Sequence, residues 1–233
     1  MIQEGLFYYK GALVKIFLDT ADVQEIRKWA ATSIIDGVTT NPTHMSSAGS
    51  DPKKIIKDIC ACLPHGAISV EVTEVEPDAV YRQARLISAL AKNIVVKIPC
   101  DVRYYEVIQR LVQEGIPLNI TLVFTVAQGL AMCKLGVEYI SPFVGRLEDV
   151  QKNSGIQLVQ DLVHMKQTYA FETQILAASI RTVDHITRVI QAEADCITVP
   201  VGVLSQALTH ELSEKGIEKF LADWKKLEIT KFP

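Results

Sequence analysis

The stretch Asn93-Ile94-Val95-Val96-Lys97-Ile98-Pro99 carries the clearest indication of the fold. Its β-branched run is typical of a strand buried on both faces of a parallel sheet, and Pro99 ends it because proline has no N–H to donate to the ladder. Lys97 interrupts the run with an amine. Burial favours the neutral form of an amine, and a neutral lysine can condense with a carbonyl to form a Schiff base. A buried lysine paired with a carboxylate, or a strand-end lysine that reaches solvent, fits this stretch equally well.

Short β-rich segments alternate with amphipathic helical segments on both sides of this strand. Strands are expected at 15–19, 36–42, 67–72, 94–98, 118–124, 138–143, 172–178 and 196–199. Helices are expected at about 23–31, 52–62, 77–92, 102–114, 126–135, 155–167, 183–192, 203–209 and 217–226. This alternation predicts the class α/β and a single (β/α)8 TIM barrel in which the lysine strand is the fourth. An open doubly wound sheet is the competing architecture, but we find no G-x-G-x-x-G or Walker fingerprint that would favour it.

The composition indicates one domain of a protein that binds neither nucleic acid nor membranes. No linker or low-complexity tract divides the 233 residues, so we expect a barrel with a C-terminal helix over 15–233, after an extension of uncertain order over 1–14. The net charge of −3 gives no basic field that would attract nucleic acid or an anionic membrane. No apolar run reaches membrane-spanning length, and the first fourteen residues do not form a convincing secretory signal.

The five cysteines are an odd number and are scattered through predicted helices and strands. This distribution suits free thiols in a reducing cytoplasm, so we expect a cytoplasmic protein. Cys60, Cys62 and His65 could be interpreted as metal ligands. Because no second cluster completes a set of four ligands, buried cysteines at a helix end are the better interpretation, and no metal is expected.

Polar side chains stand at the end of nearly every predicted strand. Barrel active sites lie at the carboxyl ends of the strands, so these side chains should point into one pocket. Glu71, which lies between two valines, and Asn119, in an apolar strand, each need a partner or a wet cavity. In chain order the candidates are Asp19, Thr39, Asn41, Glu71, Lys97, Asn119, Thr121, Ser141, Arg146, Ser179 and Arg181.

Most of these candidates, taken alone, also have an ordinary structural role. Asp19 could cap a helix, Asn41 could form a turn, and Arg146 could belong to a surface ion pair. Taken together, the residue types are more specific. Two arginines near one barrel mouth suit a dianionic phosphate, and a buried amine with carboxylates and hydroxyl binders suits Schiff-base chemistry on a phosphorylated sugar.

Six segments carry motifs of one known family. They are Ile16-Phe17-Leu18-Asp19-Thr20-Ala21, Asp36-Gly37-Val38-Thr39-Thr40-Asn41-Pro42, Val95-Val96-Lys97-Ile98-Pro99, Asn119-Ile120-Thr121-Leu122-Val123-Phe124, Ser141-Pro142-Phe143-Val144-Gly145-Arg146 and Ala177-Ala178-Ser179-Ile180-Arg181. These segments resemble the transaldolase family, and more closely its short branch, which also contains fructose-6-phosphate aldolases. The resemblance runs from about residue 15 to residue 226 and covers almost the whole chain.

The resemblance implies a barrel with the Schiff-base lysine on strand four, at Lys97, with no cofactor or metal. It also implies a ring-shaped homo-oligomer, a pentamer or decamer, in which the C-terminal helix packs on a neighbour. Lys97 would attack C2 of a ketose phosphate, Asp19 would take the proton of the C4 hydroxyl, and Glu71 with Thr121 would hold a catalytic water. The remaining matches imply that the sugar hydroxyls are bound by Thr39, Asn41, Asn119 and Ser141, and the phosphate by Arg146, Ser179 and Arg181.

Two positions favour a transferase over a lyase within the branch. Transaldolases carry glutamate where this chain has Glu71 and phenylalanine where it has Phe143, whereas the aldolases tend to carry glutamine and tyrosine. The expected reaction is transfer of a dihydroxyacetone unit from sedoheptulose 7-phosphate or fructose 6-phosphate to glyceraldehyde 3-phosphate or erythrose 4-phosphate, in the non-oxidative pentose phosphate pathway. A fructose-6-phosphate aldolase, a lysine-dependent aldolase of 2-keto acids and a non-catalytic phosphosugar-binding barrel are the alternatives.

Overall fold

Eight parallel strands close into a barrel in chain order, and the last strand pairs with the first. The computed structural model describes residues 14–226. The strands are Lys15–Asp19 (β1), Gly37–Thr39 (β2), Ala67–Glu71 (β3), Ile94–Pro99 (β4), Leu118–Val123 (β5), Tyr139–Pro142 (β6), Gln174–Ala177 (β7) and Cys196–Val199 (β8). The predicted (β/α)8 barrel is confirmed, the open sheet is excluded, and Lys97 lies on the fourth strand.

Helices surround the barrel and are named here in chain order. They are Val23–Ala30 (α1), Pro42–Ala48 (α2), Pro52–Cys62 (α3), Pro77–Ser88 (α4), Tyr105–Gln113 (α5), Val126–Leu135 (α6), Val144–Glu148 (α7), Ser154–Tyr169 (α8), Val183–Gln191 (α9), Val201–Ala207 (α10) and Glu211–Lys225 (α11). The sequence predicted neither α2 nor α7. The predicted helix at 102–114 begins as a 3₁₀ turn at Val102–Tyr104, and the last helix begins earlier than expected, at Glu211.

The barrel interior is filled at its amino-terminal end by one apolar cluster. Its buried members are Phe17, Val95, Tyr139, Leu176 and Cys196. The rings of Phe17 and Tyr139 meet edge to face, with their centroids 5.8 Å apart. Gly37 is required beside them because a Cβ at this position would lie 2.4 Å from the Phe17 ring. This packing closes one end of the barrel and leaves the polar side chains above it as the floor of a pocket.

The five cysteines lie within the described residues, whereas most of the expected N-terminal extension does not. Of the expected extension over 1–14, residues 1–13 lie outside the described residues, as do residues 227–233 at the other end. Within 14–226, no helix is long and apolar enough to cross a membrane, and no cluster of three or more histidine, cysteine or acidic side chains could hold a metal ion. The five cysteines are free thiols, and burial raises the pKa of Cys60 to about 11 and that of Cys196 to about 12.

Candidate active site

The strand register brings the predicted polar residues of β1 to β5 together at the carboxyl end of the barrel. Lys97 stands opposite Glu71 on one neighbouring strand and opposite Asn119 on the other. Across the barrel, Asp19 stands opposite Thr39. Since side chains alternate along a strand, Lys97 and Asp19 lie on the same inner face as Val95 and Phe17, two positions earlier in their strands, and both of these belong to the apolar cluster. The site therefore lies directly above the apolar cluster.

Lys97 is buried and makes two polar contacts. Only 5% of its surface is exposed. Its Nζ lies 3.0 Å from Oε2 of Glu71 and donates a hydrogen bond of 3.0 Å to the carbonyl oxygen of Thr40. Such a pair offsets the loss of hydration that both side chains suffer on burial. Glu71 is also the carboxylate best placed to take a proton from the amine, which must lose one before it can act as a nucleophile.

Asp19 is contacted by two side chains, and a third supports one of them. Its Oδ1 accepts a hydrogen bond of 3.1 Å from Thr39 Oγ1 and lies 3.3 Å from Nε2 of His44. The Thr39 hydroxyl is also 2.6 Å from Oγ1 of Thr198. Because one hydroxyl carries one hydrogen, Thr198 must donate to Thr39 whenever Thr39 donates to Asp19. The carboxylate is thus oriented by a relay of two hydroxyls.

Of two buried polar residues on β5, beside the lysine strand, one has hydrogen-bond partners and the other has none. Asn119 is fully buried; its Nδ2 donates to Ser69 Oγ at 3.1 Å, and its Oδ1 accepts from Ser141 Oγ at 2.7 Å. Thr121 lies two residues further along the same strand, and its buried hydroxyl has no hydrogen-bond partner among the described residues. Asn41 uses its Oδ1 to cap α2, which leaves its amide N–H groups for a ligand.

A cavity of about 160 Å³ opens above these residues. It is lined by Asp19, Thr39, Asn41, Lys97, Ser141, Phe143, Arg146, Ala178, Ser179 and Thr198. Several larger cavities lie elsewhere, among them one of about 630 Å³ at the amino end of the barrel and one of about 650 Å³ between α3 and α4. We take the small cavity as the candidate site because, of these cavities, it alone joins the lysine amine to the Asp19 carboxylate and a guanidinium group.

One side of the cavity mouth is built from the segments that follow β6 and β7. The guanidinium of Arg146 lies 5.0 Å from the centre of the Phe143 ring, which packs edge to face against Phe124. Ser179 adopts a left-handed backbone with φ of 59°, and its carbonyl oxygen would lie 2.4 Å from a Cβ at Gly145. Only glycine at position 145 lets the segment after β6 approach the segment after β7 this closely. The close approach allows Arg146 and Ser179 to line the same cavity.

Arg181 is placed differently from the other predicted residues. Its guanidinium makes two hydrogen bonds, of 2.5 and 2.8 Å, to the carboxylate of Asp149, and it does not line the cavity. These bonds raise the pKa of Arg181 and lower that of Asp149. About half of each side chain is exposed, so the pair is open to exchange with another anion.

Sequence reasoning missed three polar contacts of the site. Ser69 and Thr198 could have been found by the rule that found Asn119, because each is a polar residue in an otherwise apolar strand. His44 gave no such signal, since it lies on α2, which was not predicted. Glu71, Asn119 and Thr121 do not line the cavity themselves.

Comparison with known proteins assigns the chain to a family. The family model described as Transaldolase/Fructose-6-phosphate aldolase matches residues 16–231. The chain belongs to this family. A protein named probable transaldolase from Dehalococcoides mccartyi is 44% identical over 216 residues, which cover 92% of this chain and 100% of the relative. Proteins of the same name from Streptococcus agalactiae serotype V (46% over 211 residues, 91% and 97% of the two chains) and Lactiplantibacillus plantarum (44% over 217 residues, 93% and 99%) are also similar to this member of the transaldolase/fructose-6-phosphate aldolase family. The resemblance seen in the sequence motifs is thereby confirmed.

Proposed function

We propose that the protein transfers a dihydroxyacetone unit from a ketose phosphate to an aldose phosphate through a Schiff base on Lys97. The observation that carries this proposal is the buried amine of Lys97, which lies 3.0 Å from the Glu71 carboxylate and also lines a cavity with hydroxyl, amide and guanidinium groups. An ion pair with a purely structural role needs no such cavity beside it. Membership of the family supports the same chemistry.

The first step is formation of the imine. Lys97 gives a proton to Glu71 and attacks C2 of the ketose phosphate, and the resulting carbinolamine loses water. Glu71 on β3 and Thr121 on β5 flank the lysine strand, and the buried Thr121 hydroxyl needs a polar partner. In this proposal the two side chains hold the water that carries protons during imine formation.

The second step breaks the C3–C4 bond. Asp19 takes the proton of the C4 hydroxyl, the electron pair of the C3–C4 bond moves into the protonated imine, and an aldose phosphate leaves. An enamine remains on Lys97. An acceptor aldose phosphate then reverses the step: the enamine carbon attacks the aldehyde, and Asp19 returns a proton to the new hydroxyl. Hydrolysis of the imine frees the product, which completes a ping-pong covalent cycle.

The polar lining of the cavity would position the substrate. Thr39, Asn41 and Ser141 offer hydroxyl and amide groups to the sugar, and Asn119 orients the Ser141 hydroxyl from behind. Arg146 and Ser179 lie together at the mouth and would bind the phosphate. We propose that Arg181 joins them by exchanging the Asp149 carboxylate for the phosphate, a dianion that guanidinium groups bind strongly.

An assay with and without an acceptor tests the proposal. Fructose 6-phosphate is supplied alone or with erythrose 4-phosphate, and the aldose phosphate and free dihydroxyacetone are measured separately. We expect transfer to exceed release greatly, because Phe143 offers no polar group to assist hydrolysis of the enamine. Equal rates with and without acceptor would make the protein an aldolase. Binding of the sugar phosphate without turnover would favour the non-catalytic barrel.

We also propose that the protein assembles into a ring-shaped homo-oligomer through α11. This helix exposes large apolar side chains, with Leu212, Ile217 and Phe220 exposed by 71%, 59% and 72%. Light scattering coupled to gel filtration measures the mass directly, and Phe220→Asp should reduce it. A monomeric mass for the unaltered protein would contradict this part of the proposal.

A further inference from the structure

A histidine at the barrel mouth contacts the proposed acid/base residue. His44 lies on α2, and its Nε2 is 3.3 Å from Oδ1 of Asp19. The backbone N–H of His44 donates to Asn41 Oδ1 at 2.9 Å, which starts the helix at the edge of the cavity. Thr39 donates a hydrogen bond to the same oxygen of Asp19. Both partners are therefore fixed by neighbouring side chains.

His44 lies between Asp19 and solvent. It borders a second, open cavity of about 420 Å³ that is formed by the start of α1 and by α2. About a third of the imidazole is exposed, compared with 20% of the Asp19 side chain. One ring nitrogen therefore faces the carboxylate, while part of the ring is in contact with solvent.

We propose that His44 is a positioning residue that sets the proton affinity of Asp19. The inference rests on the proposed function, in which Asp19 takes the proton of the C4 hydroxyl. A neutral His44 can donate one N–H to the carboxylate, whereas a protonated His44 also places a full positive charge beside it. That charge stabilises the carboxylate and makes Asp19 a weaker base. Cleavage of the C3–C4 bond should therefore accelerate as His44 loses its proton.

Other charged groups face the same pair and must be kept constant in a test. Lys97, with its partner Glu71, and Arg146 share the cavity with Asp19 or adjoin it. Asp22 borders the open cavity, but its carboxylate caps α1 by accepting from two backbone N–H groups. Helix α10, which follows β8, carries no titratable side chain. All of these groups remain unchanged when only His44 is replaced.

The test measures the cleavage half-reaction as the burst of glyceraldehyde 3-phosphate from fructose 6-phosphate, between about pH 5 and pH 8, where histidines change charge. His44→Gln keeps an N–H donor but cannot take up a proton. His65→Gln, at an exposed position on the turn between α3 and β3, is the matched control. We expect the burst rate of the unaltered protein and of the control to rise about 3- to 10-fold with pH, since a rate expresses only part of a change in basicity. The rate of His44→Gln should stay within about twofold.

A second variant and a second readout separate the possible failures. His44→Leu has no donor, so its burst should be slower at every pH and equally flat. Borohydride reduction with fructose 6-phosphate should label Lys97 in all four proteins, which reports the imine independently of Asp19. A pH rise in His44→Gln equal to that of the unaltered protein, or a flat profile in the unaltered protein itself, would overturn the role of His44. Absence of labelling in the unaltered protein would overturn the proposed function as well.

Discussion

Breaking the pair between Lys97 and Glu71 should reduce the stability of the barrel as well as its activity. Lys97→Met keeps the length of the side chain and suits the apolar strand. It also leaves the Glu71 carboxylate, with 13% of the side chain exposed, without its cation. Removing one partner of a buried ion pair costs about 3–5 kcal/mol. Because Glu71 keeps some contact with solvent, we expect the lower end of this range, a fall of about 3 kcal/mol in the free energy of unfolding.

Replacing the carboxylate in the same protein should recover most of this loss. The double variant Lys97→Met/Glu71→Gln contains no unpaired charge, and its free energy of unfolding should lie within about 1 kcal/mol of the unaltered protein. Urea unfolding followed by circular dichroism at one protein concentration gives the three values. Lys28→Met is the control, since Lys28 is 70% exposed and pairs weakly with Glu25 on the surface of α1; its effect should stay below about 0.5 kcal/mol.

Two results would refute this reasoning. If Lys97→Met is as stable as the unaltered protein, the carboxylate of Glu71 does not depend on the lysine. If the double variant is as unstable as Lys97→Met, the loss comes from packing of the methionine and not from an unpaired charge.

Three further predictions concern the phosphate, the enamine and the thiols. Asp149→Asn removes the carboxylate that pairs with Arg181. The KM for fructose 6-phosphate should therefore fall about 2- to 10-fold, and the KM for unphosphorylated fructose should not change. Equal changes for both sugars would mean that Arg181 has no part in binding phosphate. Phe143→Tyr should raise the release of dihydroxyacetone and lower transfer, and an unchanged ratio in the acceptor assay would contradict the role of this side chain. Burial raises the pKa of Cys60 to about 11 and of Cys196 to about 12. Since the thiolate is the reactive form, both cysteines should resist a thiol reagent at pH 8 in the folded protein and react after unfolding. Peptide mapping of the labelled protein measures this difference.

The sequence was sufficient for the barrel and for the centre of the site. Eight β-rich segments between helices define the closed sheet, and a carboxylate between two valines must find a partner, which the structure shows to be Lys97. The short helices α2 and α7 were not predicted, because five to seven residues make fewer than two helical turns, too few for an apolar pattern to repeat clearly. Because α2 was not predicted, the contact between His44 and Asp19 was not predicted either.

The side-chain contact of Arg181 could not be predicted from the sequence, for a different reason. A long exposed side chain has many rotamers of similar energy, and the sequence does not state which neighbour it contacts. Its position two residues after Ser179 indicates the cavity mouth, but the structure pairs it with Asp149. Local spacing therefore predicted the region of this residue and not its partner.

Reduction with borohydride is the most direct test of a Schiff base on Lys97. The protein is treated with borohydride and fructose 6-phosphate, digested with trypsin and analysed by mass spectrometry. Trypsin does not cleave after a modified lysine, so the reduced adduct should appear on the peptide that spans residues 93–103, and it should be absent from Lys97→Met. An adduct at another lysine, or turnover of the sugar without any adduct, would contradict the mechanism.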